Sequence, residues 1–225
     1  MSLPRAGSRV RQGLSFALVF AATACSDDAA TQRAQSLVQA VVDRVRPPNI
    51  DLGSAAYPAG NTASGVEHAW VTKRLRPRHY RLSYRLPSDA AARLHREYGD
   101  FAARVRHTRL ADGRYRWTAP RHCAGGLHCV YEELAHQDGE AVHPVADLFD
   151  LRAKAQGMSA YDAAVLVISF VQHLTYRIPK ASPFGILPPA LVVKQGWGDC
   201  DSKSLLAHLL LKELGVRSVL LSSRA

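Results

Sequence analysis

The segment Gly196-Trp197-Gly198-Asp199-Cys200-Asp201-Ser202-Lys203 turns a glycine-broken loop into a leucine-rich helix. Leu205, Leu206, Leu209, Leu210 and Leu214 recur on one face at helical spacing, which predicts a helix that buries that face. Gly215 suits the left-handed position that ends such a helix, and Val216 to Ser222 then predicts a buried strand. A single cysteine, Cys200, stands where the loop becomes the helix. First-turn N–H groups are unpaired there and the helix dipole is positive, so the position favours a thiolate, the reactive form of the side chain. A cysteine near a helix start also serves as a small buried hydrophobe, and position alone leaves both roles open.

The residues around it add a pattern. A helix ends in Phe170-Val171-Gln172-His173-Leu174-Thr175-Tyr176, a loop passes through Pro188, Pro189 and Leu191, and Gly198-Asp199-Cys200-Asp201-Ser202-Lys203-Ser204-Leu205-Leu206 follows. Leu210, Leu214, Gly215 and Val219 to Leu221 continue the order. From about Tyr161 to Leu221 the chain resembles the transglutaminase-like domain family, a branch of the papain-like cysteine enzymes. The resemblance implies an α+β fold with a papain-like transglutaminase core, in which the Cys-bearing helix packs on an antiparallel sheet. A small β-rich or α+β region is expected ahead of that core.

The resemblance also implies a catalytic triad in the order Cys, His, Asp, with Cys200 as the nucleophile. The His would take the thiol proton and return it to the leaving amine while the Asp orients the imidazole. In the family those two residues lie on strands after the Cys helix, and no His or Asp follows Gly215 here. They are expected from a longer native chain, or the domain is catalytically incomplete. His208 is too far along the helix, about 12 Å from Cys200 at ~1.5 Å per residue, and His173 reads as loop-facing. Glu67-His68-Ala69-Trp70-Val71 is similar to the family's His-bearing strand, but it precedes the cysteine; it also reads simply as a half-exposed strand. An oxyanion hole would need the Cys200 N–H and a side-chain donor, for which Gln195 and Trp197 are candidates. Asp199 suits an N-cap, and Asp201 suits the dipole while opposing a thiolate beside it.

The amino end, Met1 to Ala24, reads as a signal peptide. Arg5, Arg9 and Arg11 form a basic region without acids, Gly13 to Ala24 is apolar, and Ala22-Thr23-Ala24 offers a small-residue cleavage site. Cys25 then matches a lipoprotein acceptor, against simple secretion as the other outcome; the anchor would hold the chain to the membrane at the cell envelope or periplasm. The formal net charge is +10, and arginines crowd from Arg74 to Arg121. Such a run suits an anionic surface or polymer or simply a solvated face, and export argues against nucleic acid.

Between the leader and the core, Ala34, Leu37, Val38, Val41, Val42 and Val45 predict a helix, and Asp51 to Gly65 reads as a linker. Strands are predicted over Val66–Leu75, Tyr80–Leu86 and Val130–Ala135, a helix over Ala90–Phe101, and a hairpin about Ala111-Asp112-Gly113. The expected organisation is a leader over 1–24, helix and linker over 25–65, an α+β or β-rich domain over 66–150, and the core over 151–225.

Arg121-His122-Cys123-Ala124-Gly125-Gly126-Leu127-His128-Cys129 admits a Cys123–Cys129 disulfide, a zinc site drawing on His136 and His143, or free thiols. No metal is assigned. Calcium serves some members of the family, but no acidic loop matches here, and nucleotide, flavin and haem motifs are missing, so no cofactor is expected. Two functions compete, ahead of a third, a periplasmic zinc-binding protein through the His122–His143 region. One is an exported thiol enzyme acting on protein or peptide amide bonds, as a peptidase or an acyl transferase. The other is a catalytically incomplete binding or scaffolding module of the cell envelope.

Overall fold

The computed structural model describes residues 50–72, 74–75, 79–111, 115–118 and 128–220. Its frame begins with alternation. In β1 (Ile50–Ala56), β2 (Val66–Val71) and β3 (His79–Arg85), the residues Tyr80, Leu82 and Tyr84 of β3 point inward while Arg81 faces solvent. The sheet order is β1-β3-β2, with β2 antiparallel and β1 parallel to the central β3. The sheet is therefore mixed.

Five helices and two short strand pairs complete the described chain. These are α1 (Ser88–Arg104), the hairpin β4 (Arg106–Arg109) and β5 (Tyr115–Thr118), α2 (His128–Ala155) and α3 (Ala160–His173). Then come β6 (Thr175–Tyr176), a 3₁₀ turn at Pro183–Gly185, α4 (Pro189–Gln195), β7 (Trp197–Gly198) and α5 (Cys200–Glu213). The inner face of the sheet packs on α2, α3 and α4. Trp70 is the joint: its ring lies 5.7 Å from Tyr80 and 5.2 Å from Phe170, and its Nε1 donates to Ser169 Oγ at 3.0 Å. The Tyr84 hydroxyl donates to the Ala141 carbonyl at 2.7 Å, so a buried polar tip finds its partner on α2.

Helix α5 packs against α2, α3 and α4. Leu205, Leu206, Leu209, Leu210 and Leu211 are all buried, which requires helices on several sides and explains why a sheet is not its support. A second apolar cluster joins Tyr98 and Phe101 of α1 to Val130 and Leu134 of α2, with Ile186 and Leu205. It fixes the start of α5 from the other side. The helix ends as its sequence predicts: Gly215 has φ +70°, its N–H reaches Lys212 O at 3.0 Å, and the Val216 N–H reaches Leu211 O at 2.9 Å. That reciprocal pair is a Schellman stop.

The α+β class is shown, and the hairpin and the helix over 90–101 stand where the sequence places them. Several expectations are corrected. Residues expected as linker contain β1, whose ladder with β3 slips between Asp51 and Ser54, around Gly53 at φ +110°. Its Gly-Ser-Ala composition carries little strand signal, and the edge of β3 supplies the order. The strand expected over 130–135 is the first part of α2, because Val130, Leu134, Ala141, Val142, Val145 and Phe149 continue one buried helical stripe. Residues 216–220 form no strand, and Val219 is exposed; without a neighbouring strand among the described residues, β propensity has no ladder to join. The border expected at 150/151 falls inside α2, and one apolar cluster runs from Ala55 to Leu211. The leader, Cys25, the helix over 34–45 and Cys123 lie outside the described residues. Among the described residues no helix is long and apolar enough to cross a membrane.

Candidate active site

Pro189 opens α4, where a missing N–H costs nothing, and the next N–H, of Ala190, is capped at 2.7 Å by the buried carboxylate of Asp138 on α2. Burial, with Glu97 adding to it, pushes the Asp138 carboxyl up to about 7, against the pull of the Ala190 N–H. Gly196 closes α4 at φ +71°, a conformation that favours glycine. The chain then runs into β7, pairing parallel with β6 through Thr175 N–H to Gly196 O at 2.9 Å and Arg177 N–H to Gly198 O at 3.1 Å. Gly198 admits no larger residue in comfort: a Cβ there would stand 3.2 Å from Ser202 Cβ and 3.3 Å from both methyls of Val192.

Asp199 is the N-cap of α5. Its buried carboxylate accepts the Ser202 N–H at 3.0 Å and the Ser202 hydroxyl through a short bond. The same hydroxyl accepts the Leu187 N–H at 2.8 Å. Lys203 reaches the Leu174 carbonyl at 2.7 Å and ties the first turn to the end of α3. Within this frame Cys200 is the first helical residue, exposed and free. Its own N–H has no partner among the described residues, as helix geometry dictates for that position.

Two side chains around the start of α5 and the loop before it were not legible in the sequence. Tyr131, from α2, lies near Asp201, and burial, reinforced by that carboxylate, pushes its phenol up to about 12. Arg177, following β6, lays its guanidinium 4.7 Å from the Trp197 ring centre. A misread strand over 130–135 hid the first. The second needs the β6–β7 pairing, for which the sequence carries no signal.

Gln195 and Trp197 both line a cavity of about 770 Å³, together with His95, Tyr176, Arg177, Lys180 and Leu187. Cys200 is not among its lining residues; Trp197 connects the cavity to the thiol's loop. Gln195 is exposed, Trp197 half-buried.

Comparison with known proteins finds no matching family model, no similar curated protein and no similar solved structure.

The histidines are placed plainly. His68 is buried on β2, its Nε2–H donates to Val193 O at 2.9 Å, and burial lowers its basicity. The imidazole is a neutral core group packed edge-on to Phe170 at 5.5 Å. The exposure pattern of β2 is that of a half-exposed strand. His208 shares a hydrogen bond with Ser218 Oγ at 2.8 Å, and His143 pairs with Glu213 at 2.9 Å. Among the described residues no histidine hydrogen-bonds Cys200. The set of possible metal-ligand atoms found close together among the described residues is that of Asp199, Cys200 and Asp201, of which Asp199 is already engaged by Ser202. His128, His136 and His143 enter no such set. Cys129 is buried and disulfide-bonded; Cys123 lies outside the described residues. The arginine run is partly committed, with Arg81 on Asp51 at 2.9 Å and Arg93 on the Tyr57 hydroxyl at 3.1 Å.

Proposed function

We propose that the chain carries a papain-like core of the transglutaminase type and works as an exported thiol enzyme on amide bonds of a protein or peptide. The observation that carries this reading is the Cys200 thiol: free, exposed and first in a helix whose start is tied down by Asp199, Ser202 and Lys203. In the proposed step the Cys200 sulfur attacks the acyl carbon, the C–N bond breaks, and the amine leaves with the thiol proton. The thioester is then released by water or by a second amine, which gives hydrolysis or acyl transfer from one intermediate. A preorganised, uncapped N–H at Cys200 supports charge developing on the acyl oxygen. Export and lipid attachment at Cys25 belong to the same reading, supported by the basic and apolar amino end and by a disulfide at Cys129, of a kind that persists in oxidising compartments.

A peptide vinyl sulfone tests it. The reading requires a single adduct that maps to Cys200 and is lost in Cys200→Ser; an intact chain carrying no adduct, or adducts spread over other nucleophiles, removes it.

The second reading is a binding or scaffolding module of the cell envelope that keeps the fold without the chemistry. The specific observation in its favour is that His68, His143 and His208 are bonded elsewhere. Added imidazole separates the two. It accelerates acylation of a competent nucleophile that lacks a neighbouring base, and does nothing for a module.

A further inference from the structure

We infer that the cavity beside Trp197 is a carboxylate subsite, which holds an acidic side chain of the peptide whose acyl group is presented to Cys200. The inference rests on the thiol-enzyme reading for its place in the reaction, and on the cavity's own chemistry for its ligand.

The charge in the cavity is one-sided. Arg177 and Lys180 line it beside the imidazole of His95, and among the described residues no Asp or Glu does. Lys194, near enough to His95 to lower its basicity after burial has done so, adds to the same field. Among the described residues no carboxylate pairs with Arg177 or Lys180, whereas Arg81, Arg93 and Lys154 each have an acidic partner. Two cations that converge on a cavity without a counter-ion leave their interaction capacity for a ligand.

Arg177 is also prepared for the task. Its guanidinium rests 4.7 Å from the Trp197 ring centre, so stacking holds the plane while its N–H donors stay available for a carboxylate. Its backbone N–H is bound to Gly198 O at 3.1 Å, which fixes the stem on the strand that leads into the nucleophile. Less of its rotamer freedom remains to be lost when a ligand arrives. Gln195 adds a neutral donor, and Leu187 gives the cavity an apolar wall suited to the methylene groups of a glutamate. At about 770 Å³ the space falls within the ~300–1,000 Å³ of ordinary ligand sites.

The cavity and the thiol share one frame. Trp197 stands in β7, three residues before Cys200, and the Leu187 N–H is held by Ser202 in the first turn of α5. Trp197, in contact with Arg177, is the link by which a carboxylate on Arg177 is proposed to set a peptide toward the thiol.

The test uses the full chain with Cys200→Ser, so that binding is read without chemistry. Three peptides of equal length, differing only in a Glu, Gln or Lys at one position, are titrated by calorimetry at low and at physiological salt. The expected result is at least tenfold tighter binding of the Glu peptide than of the Gln peptide, weakest binding for Lys, and a preference that shrinks with salt. Arg177→Gln removes the preference, and Arg177→Lys, which keeps the charge but not the stacked fork, retains part of it. Equal binding of the Glu and Gln peptides, no binding of any peptide, or a preference untouched in a folded Arg177→Gln chain overturns the subsite. A peptide that instead gains affinity only through its free C-terminal carboxylate, seen by comparison with its amide, also overturns the side-chain assignment. The thiol reading fails separately: Cys200 of the unmutated chain would then resist the vinyl sulfone while the Glu preference persists.

Discussion

Asp199 and Ser202 close the first turn of α5 on each other: the carboxylate of one accepts both the N–H and the hydroxyl of the other. Because that hydroxyl also takes the Leu187 N–H, the start of the helix, the preceding loop and the wall of the neighbouring cavity are one hydrogen-bonded piece. Cys200 sits between the two partners and inherits their rigidity.

Removing the cap has a definite cost. Asp199→Ala leaves first-turn donors and the Ser202 hydroxyl without their acceptor in a buried place, and is expected to lower stability by about 1–2 kcal/mol. Asp199→Asn keeps an acceptor and costs less. Urea unfolding with matched m-values checks both; an Asp199→Ala chain as stable as the parent contradicts the role.

The two glycines of the loop fail differently. Gly198→Ala drives a methyl group to within 3.2–3.3 Å of Ser202 and Val192 and is expected to cost about 1–3 kcal/mol through overpacking. Gly196→Ala meets only His68 Cε1 at an ordinary 3.6 Å, so its cost is the φ +71° conformation alone, about 1 kcal/mol. Thermal denaturation of the pair ranks them, with Gly198→Ala the lower.

Asp138 makes stability depend on pH in an unusual direction for a carboxylate. Its folded pKa, about 7, lies above the ordinary carboxylate range, so the folded chain holds a proton that the unfolded chain has released. That contribution is fully present in acid, weakens as pH rises from the unfolded value of about 4 and is lost through about 7. Asp138→Asn, which keeps an acceptor for the Ala190 N–H, is expected to flatten the pH profile of the urea midpoint across that window. An unchanged profile would show that Asp138 does not titrate there.

The part of the fold legible in the sequence was the part whose signal is local. The leucines of α5, its start at Cys200 and its stop at Gly215 follow from helix period and capping, and the alternation of Tyr80, Leu82 and Tyr84 marks β3 directly. What was not legible depends on partners distant in the chain. β1 is a strand because β3 offers it an edge, and residues 130–135 are helical because Val130 and Leu134 join a stripe that continues to Phe149. The site divides the same way. Cys200 and its cap could be read from a few adjacent residues. Tyr131 beside Asp201, and His68 spent on Val193, required the tertiary packing itself.

The most direct test of the account is acylation of Cys200. The full chain is mixed with excess nitrophenyl ester of an acyl-glutamate, and nitrophenolate release is followed from the mixing time alongside intact mass. The account predicts a rapid burst approaching one equivalent per chain, a matching acyl mass on the Cys200 peptide, and no burst in Cys200→Ser. Release that is the same in both chains, with no acyl mass on Cys200, would contradict it and leave the binding-module reading in its place.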